Sequence, residues 1–423
     1  MQEHPFKKKN RIRSIGVFYT LYGLLLLDSG SYFVARGGAF IVVQLFLAAM
    51  LLAICGGKIS TRTLCVAGLL TGIVVISAVG NAEPLRDTLV TISEIVIALL
   101  IANSIINDPS LVSQSWRRLI LFLSIFSLIV FIMTLFPNGV LRRFPILDKT
   151  SNLPAYFVGF SFAYAPRPFF IARNLGLFWE PGAYQTYLVF ALICEMFFYP
   201  EKKLINQIIL TITLITTLST TGIVCGLIIW TIYSFVQENK AFGLFLIISC
   251  VAIVLSLVIN MELLPTYIRF SFFTKLRAVF YGDEGNIITA NTRIESFSYG
   301  LDLFLQSPII GIGRGMRELK ELMGNGIASC TPVNWLAQYG VFVGCIIYYG
   351  FFLATRNLSK SALQRVLLLL IVILSLSTEA FNYSPTILFI VFVGFHNGLF
   401  PIVDNKQNEN TIPDGLLVPQ ENC

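Results

Sequence analysis

A chain of 423 residues with 56% hydrophobic and only 13% charged residues cannot cover its apolar surface as a soluble domain does, since such domains are about 25% charged. That balance excludes a water-soluble fold and makes the apolar span of about 20 residues the unit to count. The net charge of +7 is ascribed to orientation in the membrane rather than to nucleic acid, because no basic run is interleaved with aromatics.

The first apolar run follows Lys7, Lys8, Lys9, Arg11 and Arg13 and continues into Asp28, Ser29, Gly30 and Arg36. No small-residue cleavage pattern interrupts it, so a retained first helix is expected. Further spans are predicted at 39–55, 63–80, 85–106, 118–136, 181–199, 204–218, 221–237, 241–260, 333–354, 362–379 and 385–400. The expected fold is all-α: a polytopic transmembrane helix bundle of about 12 spans. Its two long extracytoplasmic loops are expected to contain short amphipathic helices. The chain divides into N-terminal helices (1–136), a first long loop (137–180), central helices (181–260), a large loop (261–332), C-terminal helices (333–403) and a cytoplasmic tail (404–423).

Counting from a cytoplasmic N-terminus puts Lys58 and Arg62, Arg117 and Arg118, Lys202 and Lys203, Lys240, and Arg356 and Lys360 on the inside. This is the positive-inside bias, and it leaves both long loops outside the cytoplasm. Irregular backbone of that length cannot sit in hydrocarbon, so function is expected in those loops.

The first loop is cationic, with Arg142, Arg143, Lys149, Arg167 and Arg173 against Asp148 and Glu180. Arg142 and Arg143 are read as contacts to substrate or to lipid headgroups. In the second loop, 293–305 is amphipathic at helical spacing, with Ile294, Phe297, Leu301, Phe304 and Leu305 on one side. Pro308 is expected to end that helix, and Gly311, Gly313 and Gly315 make a turn around Arg314. Glu94, Glu195 and Glu379 fall within or at the ends of spans, where a carboxylate costs at least about 2.5 kcal/mol unless it is partnered. They mark a cavity, a proton path or a structural hydrogen bond. Of the eight cysteines only Cys330 falls in an extracytoplasmic loop, so no disulfide is expected. There is no CxxC pair or Cys/His cluster, and His4 and His396 are the only histidines, so no metal site is expected.

Four segments carry a resemblance. Arg173-Asn174-Leu175-Gly176-Leu177-Phe178-Trp179-Glu180-Pro181-Gly182 resembles an R-x-x-G-x-F-x-E-P-G signature. Leu218-Ser219-Thr220-Thr221-Gly222 resembles a Ser/Thr-Gly segment opening a later span. Arg293 followed by Pro308-Ile309-Ile310-Gly311-Ile312-Gly313 resembles an R … P-x-x-G-x-G stretch. Tyr339-Gly340 with Gly344 resembles the next span. In this order, from about residue 170 to 350, they are similar to the bacterial O-antigen and capsule repeat-unit polymerases (Wzy-like), which are related to the O-antigen ligases. The first 130 residues match only as generic spans. The His-Asn pair that the ligases carry before the Y-G is replaced here by Ala328 to Asn334 without histidine, which favours polymerase over ligase.

The resemblance implies a glycosyltransferase of the bacterial inner membrane. Such an enzyme joins polyprenyl-diphosphate-linked oligosaccharides outside the cytoplasm, without metal or other cofactor. Membrane lipid and a chain-length regulator protein are implied partners. Arginines are expected to stabilise the leaving diphosphate and a carboxylate to receive the proton of the attacking hydroxyl. On that basis Arg173, Arg293, Arg314 and Glu180 are candidate catalytic residues, and Arg142, Arg143, Trp179 and Tyr184 candidate substrate contacts. Glu180 also has a plain alternative, a carboxylate at a helix start with Pro181 in the first turn. Arg173 and Arg293 have plain readings as a surface anchor and as the start of an amphipathic helix. The alternatives for the whole chain are a ligase and a lipid-oligosaccharide flippase. The latter is disfavoured because no repeated half is visible.

Overall fold

The computed structural model describes residues 5–29, 38–136, 140–147, 155–164, 172–199, 201–237, 288–314, 330–356, 361–381 and 384–397, with isolated positions at 241, 243–245, 248 and 358. The expected span at 241–260 and the loop beyond it to 287 therefore lie mostly outside the described residues.

The protein is mostly helical. Before the first long loop come α1 (Pro5–Asp28), α2 (Gly38–Ile54), α3 (Thr61–Gly80), α4 (Leu85–Asn107) and α5 (Pro109–Thr134). After it come α6 (Pro181–Ile193), α7 (Leu204–Thr216) and α8 (Thr220–Val236). The last group is α9 (Ile288–Gln306), α10 (Thr331–Thr355), α11 (Ala362–Leu376) and α12 (Pro385–Asn397). Among the described residues four helices are long and apolar enough to cross a membrane: α3, α4, α5 and α10. Five further apolar helices of 10–17 residues are shorter than a full span.

The surface agrees with a lipid setting. Leu69, Ile76 and Val79 on α3 and Ile125, Ile129 and Ile132 on α5 are all exposed. Such apolar ribs are costly in water and neutral in hydrocarbon. Helix α4 is the central member, packed against α2, α3 and α12. Helices α10 and α12 meet closely because both carry glycine at the crossing. A Cβ on Gly394 would stand 2.1 Å from the Gly350 carbonyl oxygen.

Three local findings differ from the sequence expectation. The loop expected before 118 shrinks to Asp108, because Pro109 opens α5 at once and the Asp108 side chain caps the Leu111 amide. The span expected at 181–199 is helical only to Ile193 and closes with a π turn, Cys194–Phe198. The all-α expectation fails in the first long loop. After a single 3-10 turn, Val140–Arg143, that loop forms an antiparallel sheet ordered β1 (Ile146–Leu147), β2 (Ala155–Val158), β3 (Ser161–Tyr164). Val158 faces Ser161 across the two-residue turn Gly159-Phe160. Gly159 takes φ 60, the positive first position of a type II′ hairpin. Buried Tyr156, Val158 and Ala163 join Val130 of α5 and Leu141 in a small core that seats the sheet on the bundle.

Candidate functional site

The segment 173–176 is built as a cap on the end of α7. Arg173 Nε donates to the Thr217 carbonyl at 3.0 Å and Nη2 to the Leu218 carbonyl at 3.3 Å. The Asn174 amide donates to the Thr216 carbonyl at 3.0 Å. A cation and donors at a helix C-terminus meet its orphan carbonyls and its negative dipole end. Asn174 also reaches Thr216 Oγ1 and Ser127 Oγ through Nδ2, and its Oδ1 accepts from Gly176. Gly176 takes φ 53, and a Cβ there would stand 2.6 Å from the Tyr184 ring. Only glycine fits this point.

The turn that Arg173 grips continues into Ser219, whose hydroxyl caps α8 by accepting from Gly222. A Cβ on Gly222 would lie 2.9 Å from Gln185 Oε1, so α8 starts directly against α6. Two of the four resembling segments, 173–182 and 218–222, are thus in contact.

The other two are in contact as well. Helix α10 is broken at Gly340 (φ 77, ψ −176), and the 308–313 turn fills the break. Ile312 donates to the Ala337 carbonyl, Gly313 to the Gln338 carbonyl and Val341 to the Pro308 carbonyl, at 2.9, 3.0 and 2.8 Å. The groups freed by the break thereby find partners. A Cβ on Gly311 would sit 2.3 Å from Gln338 backbone, and one on Gly340 2.1 Å from the Ile309 carbonyl.

Arg314 follows this turn and points into the bundle. Its Nη1 and Nη2 donate to the two oxygens of Glu94 at 2.9 and 3.1 Å, and Nη1 also reaches Thr91. Its amide donates to Glu83 in the turn before α4. Thr91 meets Tyr339 Oη at 3.1 Å, which ties the pair to the broken helix. A small cavity beside them is lined by Glu94, Thr91, Trp335, Tyr339 and Val343.

A buried polar seam joins the helix starts. Gly182 in the first turn of α6 packs on the Glu379 carboxyl, where a Cβ would be only 1.8 Å away. Gln185 and Thr186 donate to the Ser375 carbonyl at the end of α11. Thr331, opening α10, donates to the Glu379 carbonyl at 2.5 Å and accepts from the Phe381 amide at 2.7 Å. At the start of α12, Ser384 and Thr386 hydrogen-bond Asp28, the last residue of α1. The starts of α6, α8, α10 and α12 are linked in this way.

Glu180 is the N-cap residue of α6 in extended conformation (φ −156, ψ 161) but makes no side-chain cap bond. It is partly exposed, and no described residue hydrogen-bonds its carboxyl. Trp179 is partly buried, its ring 5.6 Å from Phe381. Arg142 and Arg143 are exposed on the 3-10 turn. Arg293 lies on α9, and its side chain is outside the described residues; farther along α9, Gly300 packs on Val333 and Asn334 of α10. Arg173 and Arg314 engage different elements, the α7–α8 turn and α4.

Tyr184 is a correction. It is fully buried, stacked on Phe178, with its hydroxyl 3.0 Å from Ser127. It is a core residue under Gly176, and no substrate contact is open to it here. Of the three span carboxylates, Glu94 pairs with Arg314, and Glu195 pairs through both oxygens with Arg117 at 2.8 and 2.5 Å. Glu379 is buried in the seam. Asp28 and Thr331 were not singled out by sequence, and only their polarity at the end or start of an apolar run signalled them. No protein-family model matches the chain, and no curated protein sequence matches it.

Proposed function

We propose that the protein is a membrane glycosyltransferase that joins lipid-diphosphate-linked oligosaccharide repeat units into a polysaccharide on the extracytoplasmic face of a bacterial inner membrane. The observation that carries the reading is pairwise contact. Segment 173–176 seats on the 216–219 turn, and turn 308–313 fills the break at Gly340. Segments that resemble one family only as strings are thus packed two by two, which supports the reading. In this reading the chain crosses the membrane about 12 times, both termini are cytoplasmic, and the starts of α6, α8, α10 and α12 face outward.

The chemistry asked of such a site is simple. The anomeric C–O bond to the diphosphate breaks and the electron pair leaves with the phosphate oxygen. A hydroxyl of a second repeat unit attacks the anomeric carbon and gives up its proton. Guanidinium groups of Arg173, Arg293 and Arg314 supply paired donors for the leaving charge, and the proton passes to a carboxylate.

The test is reconstitution. Purified protein in vesicles, given lipid-linked repeat units from a host strain lacking its gene, is expected to produce a ladder of glycan lengths and free lipid diphosphate. Translocation of intact lipid-linked units, or transfer of single units to a lipid A-type acceptor with no ladder, overturns the reading.

A further inference from the structure

We propose that Asp28, at the end of α1, is the carboxylate that accepts the proton of the attacking hydroxyl; this rests on the repeat-unit transfer reading above. Its Oδ2 lies within hydrogen-bonding reach of four donors. These are Ser384 Oγ at 2.6 Å, the Thr386 amide at 3.2 Å, Tyr187 Oη at 3.4 Å, and the Thr386 hydroxyl. They come from α6 and from the start of α12, so one carboxylate oxygen is tied from two sides. Among the described residues nothing donates to Oδ1, and Asp28 is partly exposed. A carboxylate whose one oxygen is held from two sides is oriented as a base must be, since position comes before basicity. The Thr386 amide belongs to the first turn of α12, whose dipole favours the ionised carboxylate that a base must be before it acts.

Four other carboxylates that the sequence singles out are less suited. Both oxygens of Glu94 are taken by Arg314 and both oxygens of Glu195 by Arg117. Glu379 is 2% exposed and packed on Gly182. Glu180 is reachable, but no described residue orients it. Of the rings next to Asp28, Tyr187 and Phe381 are buried, and the partly exposed Trp179, 5.6 Å from Phe381, is the ring placed to stack on a sugar face. In the step itself the hydroxyl proton moves to Asp28 Oδ1 as the sugar oxygen bonds the anomeric carbon, and the bonding pair to the old oxygen departs with the diphosphate.

The experiment uses the full chain in phosphatidylethanolamine and phosphatidylglycerol vesicles with lipid-linked repeat units. Released lipid diphosphate and glycan length are measured for wild type, Asp28→Asn, Asp28→Glu, Tyr187→Phe and Ser384→Ala. Asp28→Asn is expected to lower turnover about 100-fold or more, with donor KM within about threefold. Tyr187→Phe and Ser384→Ala are expected to lose less than tenfold. If Asp28→Asn gives too little folded protein, Asp28→Glu decides. It keeps the anion but moves the oxygens by a methylene, and is expected to lose at least tenfold in turnover at normal yield. Turnover of Asp28→Asn, or of Asp28→Glu in that case, within threefold of wild type overturns the proposal. So does an equal loss in Tyr187→Phe, Ser384→Ala and Asp28→Asn, which marks a purely structural cluster. No polymer from wild type overturns the transfer reading itself, a result separate from any difference among variants.

Discussion

Arg314 shows how much one side chain is asked to do at this end of the bundle. Its guanidinium meets both oxygens of Glu94, at side-chain exposures of 17% and 11%. Removing one partner from a buried pair costs about 3–5 kcal/mol, whereas an apolar pair of similar size is often tolerated. Arg314→Ala is therefore expected to lower both thermal stability in detergent and polymer length. The double change Glu94→Gln with Arg314→Met is expected to recover the melting temperature but not polymerisation. Recovery of both would reduce the pair to a strut. Lysine at 314 is expected to rescue poorly, because a point charge cannot reproduce the fork to two oxygens. Arg142→Ala, on an exposed turn, tests general loop charge, and a loss equal to that of Arg314→Ala would point to bulk membrane electrostatics rather than to the pair. Cys330 gives a second readout at this scale. It is buried, and burial raises its thiol above the ordinary range, so alkylation of native protein at neutral pH is expected to be slow and to speed up on unfolding. Rapid labelling of the folded chain would contradict the closed α10 start. Arg173, Glu180 and Arg314 could be found in the sequence because a motif surrounds them. The partnerships could not: Asp28 and Ser384 are 356 positions apart, and no local pattern records such a contact.

At the scale of elements, glycine explains most of the assembly. Gly340 and Gly311 both take positive φ, and each lies where a Cβ would meet backbone. Gly340→Ala or Gly311→Ala is expected to cost about 1–3 kcal/mol in backbone strain alone, with the steric clash added. A fall in melting temperature together with shorter chains would follow, since the turn that carries Arg314 would leave the break in α10. Unchanged stability in both variants would mean that the turn does not dock there. The Pro-x-x-Gly-x-Gly stretch was legible as a flexible turn, but what it fills was not, because Gly340 read as part of an unbroken apolar span. The sheet of the first loop was missed for a related reason. Ala155 to Val158 and Ser161 to Tyr164 flank a Gly-x pair, which is a hairpin signal. Long apolar runs on both sides drew the reading toward helices. The early start of α5 at Pro109 was within reach, since Asp-Pro before a helical run is a start signal.

At the scale of the whole molecule, apolar length and the placement of charge argue for one orientation. The helices found long and apolar enough to cross a membrane, α3, α4, α5 and α10, agree with composition, which marked the chain as membrane-embedded at once. Composition could not fix the number of crossings, because α6, α7, α11 and α12 are short, and α6 and α11 pack on each other through the polar seam. The proposed topology makes that seam an outward-facing end and puts the Arg117–Glu195 pair at the opposite, cytoplasmic end. Two independent features argue for it. That end takes Lys202 and Lys203 before α7 and Arg356 after α10, with Arg117 and Arg118 about two turns inside α5, as the positive-inside bias expects. The resembling segments gather at the other. Single cysteines at Arg143, Ser307, Lys202 and Arg356, in a chain whose eight native cysteines are replaced by alanine, test the assignment with a membrane-impermeant thiol reagent on intact cells. Positions 143 and 307 are expected to label from outside, and 202 and 356 only after the membrane is opened. Labelling of 143 without 307 would put the Arg173 cap and the Arg314 turn on opposite faces. No single extracytoplasmic site could then contain both arginines, and the proposed reaction would lose two of its three guanidinium groups from one face.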